Sequence, residues 1–270
     1  MIDKILSFVE QMGKMALENQ HKIVFEKSVF QNEGVDGNIT EVDITISNAF
    51  QAFVTQNFGN LDYAIIDEES NDQNTIEKLG TKKYVFIIDP IDGTMTYANK
   101  YPFWAISIGV FKNGKPFVGA AYAPGLDLLV WADETKAYFR ENGKVSEITK
   151  LSDASPIVLE YHDSKKLLIR DNFNDKIQGL RLSSQVVSAM YVAIGRAYGY
   201  YYKSAIWDIA GIMPVLDKVG VKIQGYDDGV EIDLRTAFGQ NVRAEKFYIV
   251  SIQKYFDYLK SVTDIPTSYT

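Results

Sequence analysis

The chain has no cysteine, and its 270 residues include only two histidines, His21 and His162. Without thiols there is no disulfide, no thiolate nucleophile and no thiolate zinc site. Two histidines argue against a Ser-His-Asp triad and against a His-rich metal centre. No apolar run reaches the ~18–20 residues needed to span a bilayer. A basic tract is missing too: 28 Lys and Arg face 35 Asp and Glu, a net charge of −7, so nucleic acid is not an expected ligand. An anionic small molecule would need a local positive charge, such as a metal ion. The stretch MIDKILSFVEQMGKMALE lacks the continuous apolar centre of a signal peptide. Its Ile2, Ile5, Val9, Met12 and Ala16 recur at helical spacing. The expectation is a soluble, cytoplasmic protein that binds neither nucleic acid nor membrane. Its chemistry must come from carboxylates, hydroxyls, Lys and Arg, and bound ions.

What is present is material for a full core. Hydrophobic residues make up 46% of the chain, enough for one large domain or two closely packed halves. Residues 26–41, EKSVFQNEGVDGNITE, are polar and read as a mobile loop or irregular hairpin. Residues 43–57 show helical apolar spacing at Ile46, Ala49, Phe50 and Phe53, with Asp43 or Thr40 as the cap. LDYAIIDEES predicts a strand over 62–66 that ends in acids, and a polar connector over 70–82 leads to a strand over 84–88. WAISIGVFKNGKPFVGAAYAP reads as two strands joined at Asn113-Gly114. DLLVWAD and KAYFRENGKV continue as short strands, so the first half is α followed by a mostly antiparallel sheet.

Residues 141–156 are polar and mark a boundary, dividing the chain into halves 1–145 and 146–270. The second half alternates. Strands are expected near 157–160 and 179–182 and over 197–202, 220–223 and 246–250; helices near 171–177 and over 184–195, 208–218 and 251–262. The sum is a layered α/β or α+β protein.

The stretch YVFIIDPIDGT, residues 84–94, carries the chemistry. A buried strand runs into Asp89 and Asp92, then Gly93 and Thr94. Pro90 fixes the backbone, and Gly93 permits a tight bend and the close approach of a ligand. A helix starting at Thr94 would aim free N–H groups at an anion. Carboxylates for a hard cation and amides for a phosphate suit Mg²⁺. An isolated D-x-x-D-G is more often an ordinary surface turn. However, IIDEES sets Glu68 and Glu69 at another strand end, TEVD sets Asp43 at a helix start, and IWDIAG sets Asp208 at a third element.

Three motifs in order, D-E-E-S (67–70), D-P-I-D-G-T (89–94) and W-D-I-A-G (207–211), resemble the inositol monophosphatase family of Mg²⁺-dependent, typically Li⁺-inhibited phosphatases. The likeness spans nearly the whole chain. It implies an α+β layered sandwich, αβαβα, with the site between the halves, two or three Mg²⁺ ions, and a homodimer as a common assembly. It implies a phosphomonoesterase acting on a small phosphate ester such as an inositol monophosphate. Fructose-1,6-bisphosphatases and 3′(2′),5′-bisphosphate nucleotidases share the superfamily, so a bisphosphate substrate is the alternative, and a non-catalytic metal- or phosphate-binding regulator a further one. Haloacid-dehalogenase-like phosphatases, with D-x-D-G-T, fit less well, because one more residue separates the aspartates here.

By that resemblance, Glu68 and Asp89 hold a first ion with the Ile91 carbonyl, with or without Thr94. Asp89, Asp92 and Asp208 share a second, and Asp92 and Asp208 also face substrate. Asp43 accepts the Thr94 proton so that Thr94 orients and helps deprotonate water; as a helix cap alone, Asp43 would contribute ~1 kcal/mol. Glu69 assists a third ion or its water, or is simply a solvated neighbour of Glu68. The Gly93 and Thr94 amides hold phosphate. In RLSSQVV, Ser183 stands where glycine is usual, and Ser184 reads as a substrate contact or as a helix cap. In YYYKSAIWD, Tyr202 and Lys203 replace the family's Glu. Lys203 in the pocket would favour a second anionic group; otherwise it is a solvated strand-end lysine. Trp207 and the tyrosine run at 200–202 read as core.

Overall fold

Two clusters hold the buried apolar side chains, and several strands of one sheet feed both. The computed structural model describes residues 1–22, 41–70, 75–159, 168–169, 177–239 and 242–264. Seven strands form a sheet in chain order: β1 (Tyr63–Asp67), β2 (Tyr84–Asp92), β3 (Ala105–Lys112), β4 (Lys115–Ala123), β5 (Leu128–Ala132), β6 (Ala137–Glu141) and β7 (Lys144–Ile148). β1 and β2 are parallel, and every later neighbour pair is antiparallel. Side chains of a strand alternate between faces. In β2, Val85 and Ile87 enter one cluster, Phe86 and Ile88 the other. Cover on both faces is why its sequence is a continuous apolar run. Asn113 and Gly114 take φ of 54° and 75°, the positive pair that a two-residue hairpin turn needs.

On one face lie α1 (Ile2–Lys22) and α2 (Glu41–Phe58). Ile5, Val9 and Ala16 of α1 are buried, with Ile2 and Met12 at the margin, and Phe8 meets Phe50 of α2 with ring centroids 5.6 Å apart. On the other face lie α5 (Gln185–Ala193), α6 (Trp207–Ala210) and α7 (Met213–Val219). These three are covered in turn by a second sheet. Its spatial order is β10 (Gln178–Leu180), β8 (Ile157–Leu159), β11 (Gly199–Tyr202), β13 (Tyr248–Ile252) and β12 (Val221–Gly225). α8 (Gln253–Ser261) closes the stack, with Tyr201 donating to the Leu259 carbonyl at 2.8 Å. The layers are therefore α, β, α, β, α, as the resemblance implies. The remaining elements are α3 (Thr75–Thr81), α4 (Thr94–Ala98) and a short pair, β9 (Leu168–Ile169) with β14 (Thr263–Asp264).

The structure corrects several expectations. The polar connector at 70–82 contains α3, because Leu79 is buried beneath it, and burying one leucine contributes ~1.5–3 kcal/mol. The polar stretch at 141–156 begins inside the sheet. Its residues form β7, an edge strand whose charged side chains face water. A division at 145/146 therefore falls within β7. Residues 208–218 are two helices: the chain breaks at Gly211 and Ile212, and Pro214, lacking an N–H, sits in the first turn of α7. Asp43 is inside the first turn of α2 rather than at its cap. Nearly all of the 26–41 expectation, with Thr40, and the helix near 171–177 lie outside the described residues.

Candidate active site

The spacing of D-x-x-D is explained by a bulge. Asp89 pairs with Ser107 of β3 and Asp92 with Ala105, so three steps on β2 match two on β3. Strict alternation would send residues 89 and 92 to opposite faces. The extra residue reverses the parity after Asp89, as β-bulges do. Ile91 consequently joins the cluster beneath α1 and α2, and both aspartates point to the side where α6 lies.

Asp208 on α6 completes a group of three. Carboxylate oxygens of Asp89, Asp92 and Asp208 all lie within 4.8 Å of one another. The helix can come this close because residue 211 is glycine. A Cβ there would stand 2.0 Å from the Ser107 hydroxyl oxygen and 2.8 Å from the Ile108 nitrogen. Asp208 is held by Ser204, whose hydroxyl donates to Oδ2, and by the Ala205 N–H at 2.8 Å. Asp92 is held from α5: the Ser184 hydroxyl and the Val186 N–H (2.9 Å) donate to Oδ2, and the Gln185 N–H (3.2 Å) to Oδ1. Asp89 differs. Both its oxygens are buried and neither meets a backbone N–H, amide or hydroxyl donor; its neighbours are other carboxyls, Glu68 and Asp208 among them.

Burial and mutual repulsion raise all of these groups. Glu68 is pushed up to about 9, by burial first and the Asp208 charge next. Burial and Asp208 push Asp92 up to about 8, against the hydrogen bonds from Ser184, Val186 and Gln185. Asp89 lies well above the ordinary carboxyl range through burial, then Glu68, Asp92 and Asp208. Asp208 is raised by burial and partly relieved by Ser204, Ala205 and the charge of Arg243. Glu69 rises to about 7, through burial and then Asp43 and Asp67. Such a set calls for a cation, and its all-oxygen donors suit a hard one such as Mg²⁺ or Ca²⁺.

The other expected residues fall around this centre. Gly93 has φ 90° and caps α4, and a Cβ there would come 2.8 Å from the Phe103 carbonyl oxygen. Thr94 opens α4, and its hydroxyl lies 3.1 Å from the Ile91 carbonyl oxygen, to which it can donate. Asp43 is buried, and its charge is felt at Glu68 and Glu69. Ser184 is the cap of α5, accepting from Val187 N–H at 3.1 Å while donating to Asp92. Lys203 is exposed, its ammonium 4.9 Å from the Phe247 ring centroid. Tyr202 is core, with its hydroxyl donating to the Ala205 carbonyl at 2.5 Å.

Sequence reasoning missed four participants: Ser204, Arg243, Ser47 and Asp67. Arg243 pairs backbone-to-backbone with Ala205, which brings a cation near Asp208. Ser204 precedes Asp208 by four residues, an offset with no distinctive signal at sequence level. Asp67 was visible as an acid but only as part of a motif.

A layered αβαβα protein with a buried carboxylate centre for hard cations is the class that fold and site define. The chain belongs to the inositol monophosphatase family, whose family model matches residues 5–254. Phosphatase IMPL1, chloroplastic, of Arabidopsis thaliana is 25% identical over 240 residues, 83% of this chain and 63% of that protein. A fructose-1,6-bisphosphatase/inositol-1-monophosphatase of Aquifex aeolicus is 30% identical over 119 residues, 44% of this chain and 42% of that one. The chain spans from 42% to 66% of the length of three such curated relatives. Among solved structures, an IMPase/NADP phosphatase complexed with Mg²⁺ and phosphate superposes with a TM-score of 0.70, at 21% identity, covering 97% of this chain and 94% of that one.

Proposed function

We propose that the chain is a Mg²⁺-dependent phosphomonoesterase that hydrolyses a small phosphate ester of the inositol monophosphate kind. The observation that carries this reading is Asp89, a buried carboxylate with no donor, set among Asp92, Asp208 and Glu68. Glu68, Asp89 and the Ile91 carbonyl would hold one ion, and Asp89, Asp92 and Asp208 another, with Glu69 beside a third. When bound, Mg²⁺ would supply positive charge for the phosphate and acidify a water. Ser184 and the α5 amides fix the Asp92 carboxylate, and Ser204 fixes Asp208. Gly93 and Thr94 present backbone amides to phosphate at the start of α4. Thr94 orients the attacking water and takes a proton from it as its own hydroxyl proton passes to Asp43. With no cysteine in the chain, and no histidine in the site among the described residues, displacement by water without a phospho-enzyme suits the chain.

A bisphosphate substrate, sugar or nucleotide, is the second reading, favoured by Arg243 beside Asp208. Lys203 on the neighbouring segment adds a cation at the surface. The experiment is phosphate release with Mg²⁺ from inositol 1-phosphate, fructose 1,6-bisphosphate, 3′-phosphoadenosine 5′-phosphate and NADP, each with and without Li⁺ and EDTA. EDTA-sensitive release from the first supports the main reading, and preference for a bisphosphate the second. No release from any, with Mg²⁺ still bound, would turn the reading to a regulator.

A further inference from the structure

Asp67 stands where the family's G-E-E-S motif has glycine. A side chain there adds one more carboxylate to a crowded site, and like charges so close raise the free energy of the ionised forms. Asp67 is nevertheless 2% exposed, and both oxygens are met: Oδ2 by the Ser47 hydroxyl at 2.5 Å, Oδ1 by the Glu69 N–H at 3.1 Å. The first of these bonds crosses between elements, from α2 to the end of β1. Ser47 lies four residues after Asp43, so the two share a face of α2, and both are buried, at 4% and 1% exposure. Glu68 and Glu69 directly follow Asp67. One hydrogen bond therefore spans two elements whose remaining facing groups, Asp43 on one side and the two glutamates on the other, repel each other. An apolar contact could join α2 to β1 without adding charge; a carboxylate with a hydroxyl and an amide on it also fixes direction at Glu69.

We propose that Ser47 and Asp67 are a positioning pair, holding Asp43 in register with Glu68 and Glu69 for the reaction. The inference rests on the phosphatase reading above. It is tested with S47A, D67A, the double variant and S47T in the full chain. Four quantities are read: kcat and KM for phosphate release, Mg²⁺ affinity by calorimetry without substrate, and Tm. The expected result is a fall of 5- to 20-fold in kcat or in Mg²⁺ affinity in both single variants, with KM changed less than twofold. The double variant should be no worse than the worse single, and S47T should recover most of the loss. Calorimetry keeps the test separate from the choice of substrate, since the pair is expected to affect ion binding whether or not a given ester turns over. Less than a threefold change in both kcat and Mg²⁺ affinity in S47A, even with a lowered Tm, overturns the proposal. Losses that multiply fully in the double variant overturn it as well.

Discussion

Removing divalent ions should make the protein less stable as pH rises from ~5 to ~9. Glu68 stands near 9 instead of 4.5, and Asp92 near 8 instead of 3.8. Between those limits the folded state holds protons that the unfolded chain has released. Stability therefore falls with pH, being full below the unfolded values and lost as pH climbs through the folded ones. One unit corresponds to ~1.4 kcal/mol, so either carboxyl alone would account for a loss of ~5–6 kcal/mol. Both face Asp208, and a proton taken up by one lessens the need at the other, so the cluster should lose ~5–6 kcal/mol in all and not the sum of both. With ~2–4 °C per kcal/mol for a chain of this size, Tm in EDTA should drop by on the order of 10 °C. Paired surface aspartates act in the opposite sense, but outside this window: Asp153, held near 2 by Tyr255 and its neighbours, matters only in strong acid.

The assay is differential scanning calorimetry at unit pH steps, in EDTA and in millimolar Mg²⁺. Mg²⁺ should flatten the decline, because the ion takes over the role of the protons. Titration of Mg²⁺ at pH 7 in buffers of different ionisation enthalpy should show protons released on binding. A metal-free Tm that is level or rising between pH 5 and 8 would refute the charge-repulsion account of the site.

Other variants separate function from fold. Asp89→Asn removes the carboxylate that has no donor, so in EDTA at pH 8 it should stabilise the protein by ~1–3 kcal/mol while phosphate release falls at least ~100-fold; a Tm below the parent's would contradict this. Gly211→Ala places a Cβ 2.8 Å from the Ile108 nitrogen, which cannot rotate away, so it should destabilise by ~1–3 kcal/mol and reduce phosphate release by moving Asp208; calorimetry and the release assay check both. Arg196→Ala breaks a two-pronged pair with Glu141, at 2.7 and 2.5 Å, but at the surface this is worth ~0–1 kcal/mol. Its Tm should shift by less than ~4 °C, with activity unchanged.

Legibility in the sequence followed the strength of local patterns. The β2 run, the Asn113-Gly114 hairpin and the α1 stripe each carry a period or a turn residue that only one structure satisfies, and all three appear in the fold. α3 has no such pattern: one buried Leu79 among polar residues draws it into a helix, a tertiary effect. β7 is nearly as silent: only Lys144 and Val145 fall within the expected strands of KAYFRENGKV, because an edge strand with charges outward resembles a loop. In the site, the acids were legible because each follows or precedes an apolar segment. Their partners were not: Ser47 and Arg243 reach the centre only after elements distant in the chain are packed together, and Ser204, four residues before Asp208, sits at an offset with no distinctive pattern.

The bulge in β2 shows how a motif's spacing can be a statement about a sheet. Two carboxylates on a regular strand share a face at even separations, and D-x-x-D is odd. Such a pair is useful to one cation only if the strand gains a residue between its members. Pro90, without an N–H to give to the ladder, lies in the segment where pairing is interrupted. The same interruption returns Ile91 to the opposite core, where it is fully buried, so the apolar contact of the strand is kept while its polar end turns to α6. The spacing that separates this chain from D-x-D phosphatases thus has a mechanical origin. Closing it by one residue would also put the two aspartates on one face of a regular strand, with the single residue between them on the opposite face; an isoleucine kept there would still serve the core beneath α1 and α2.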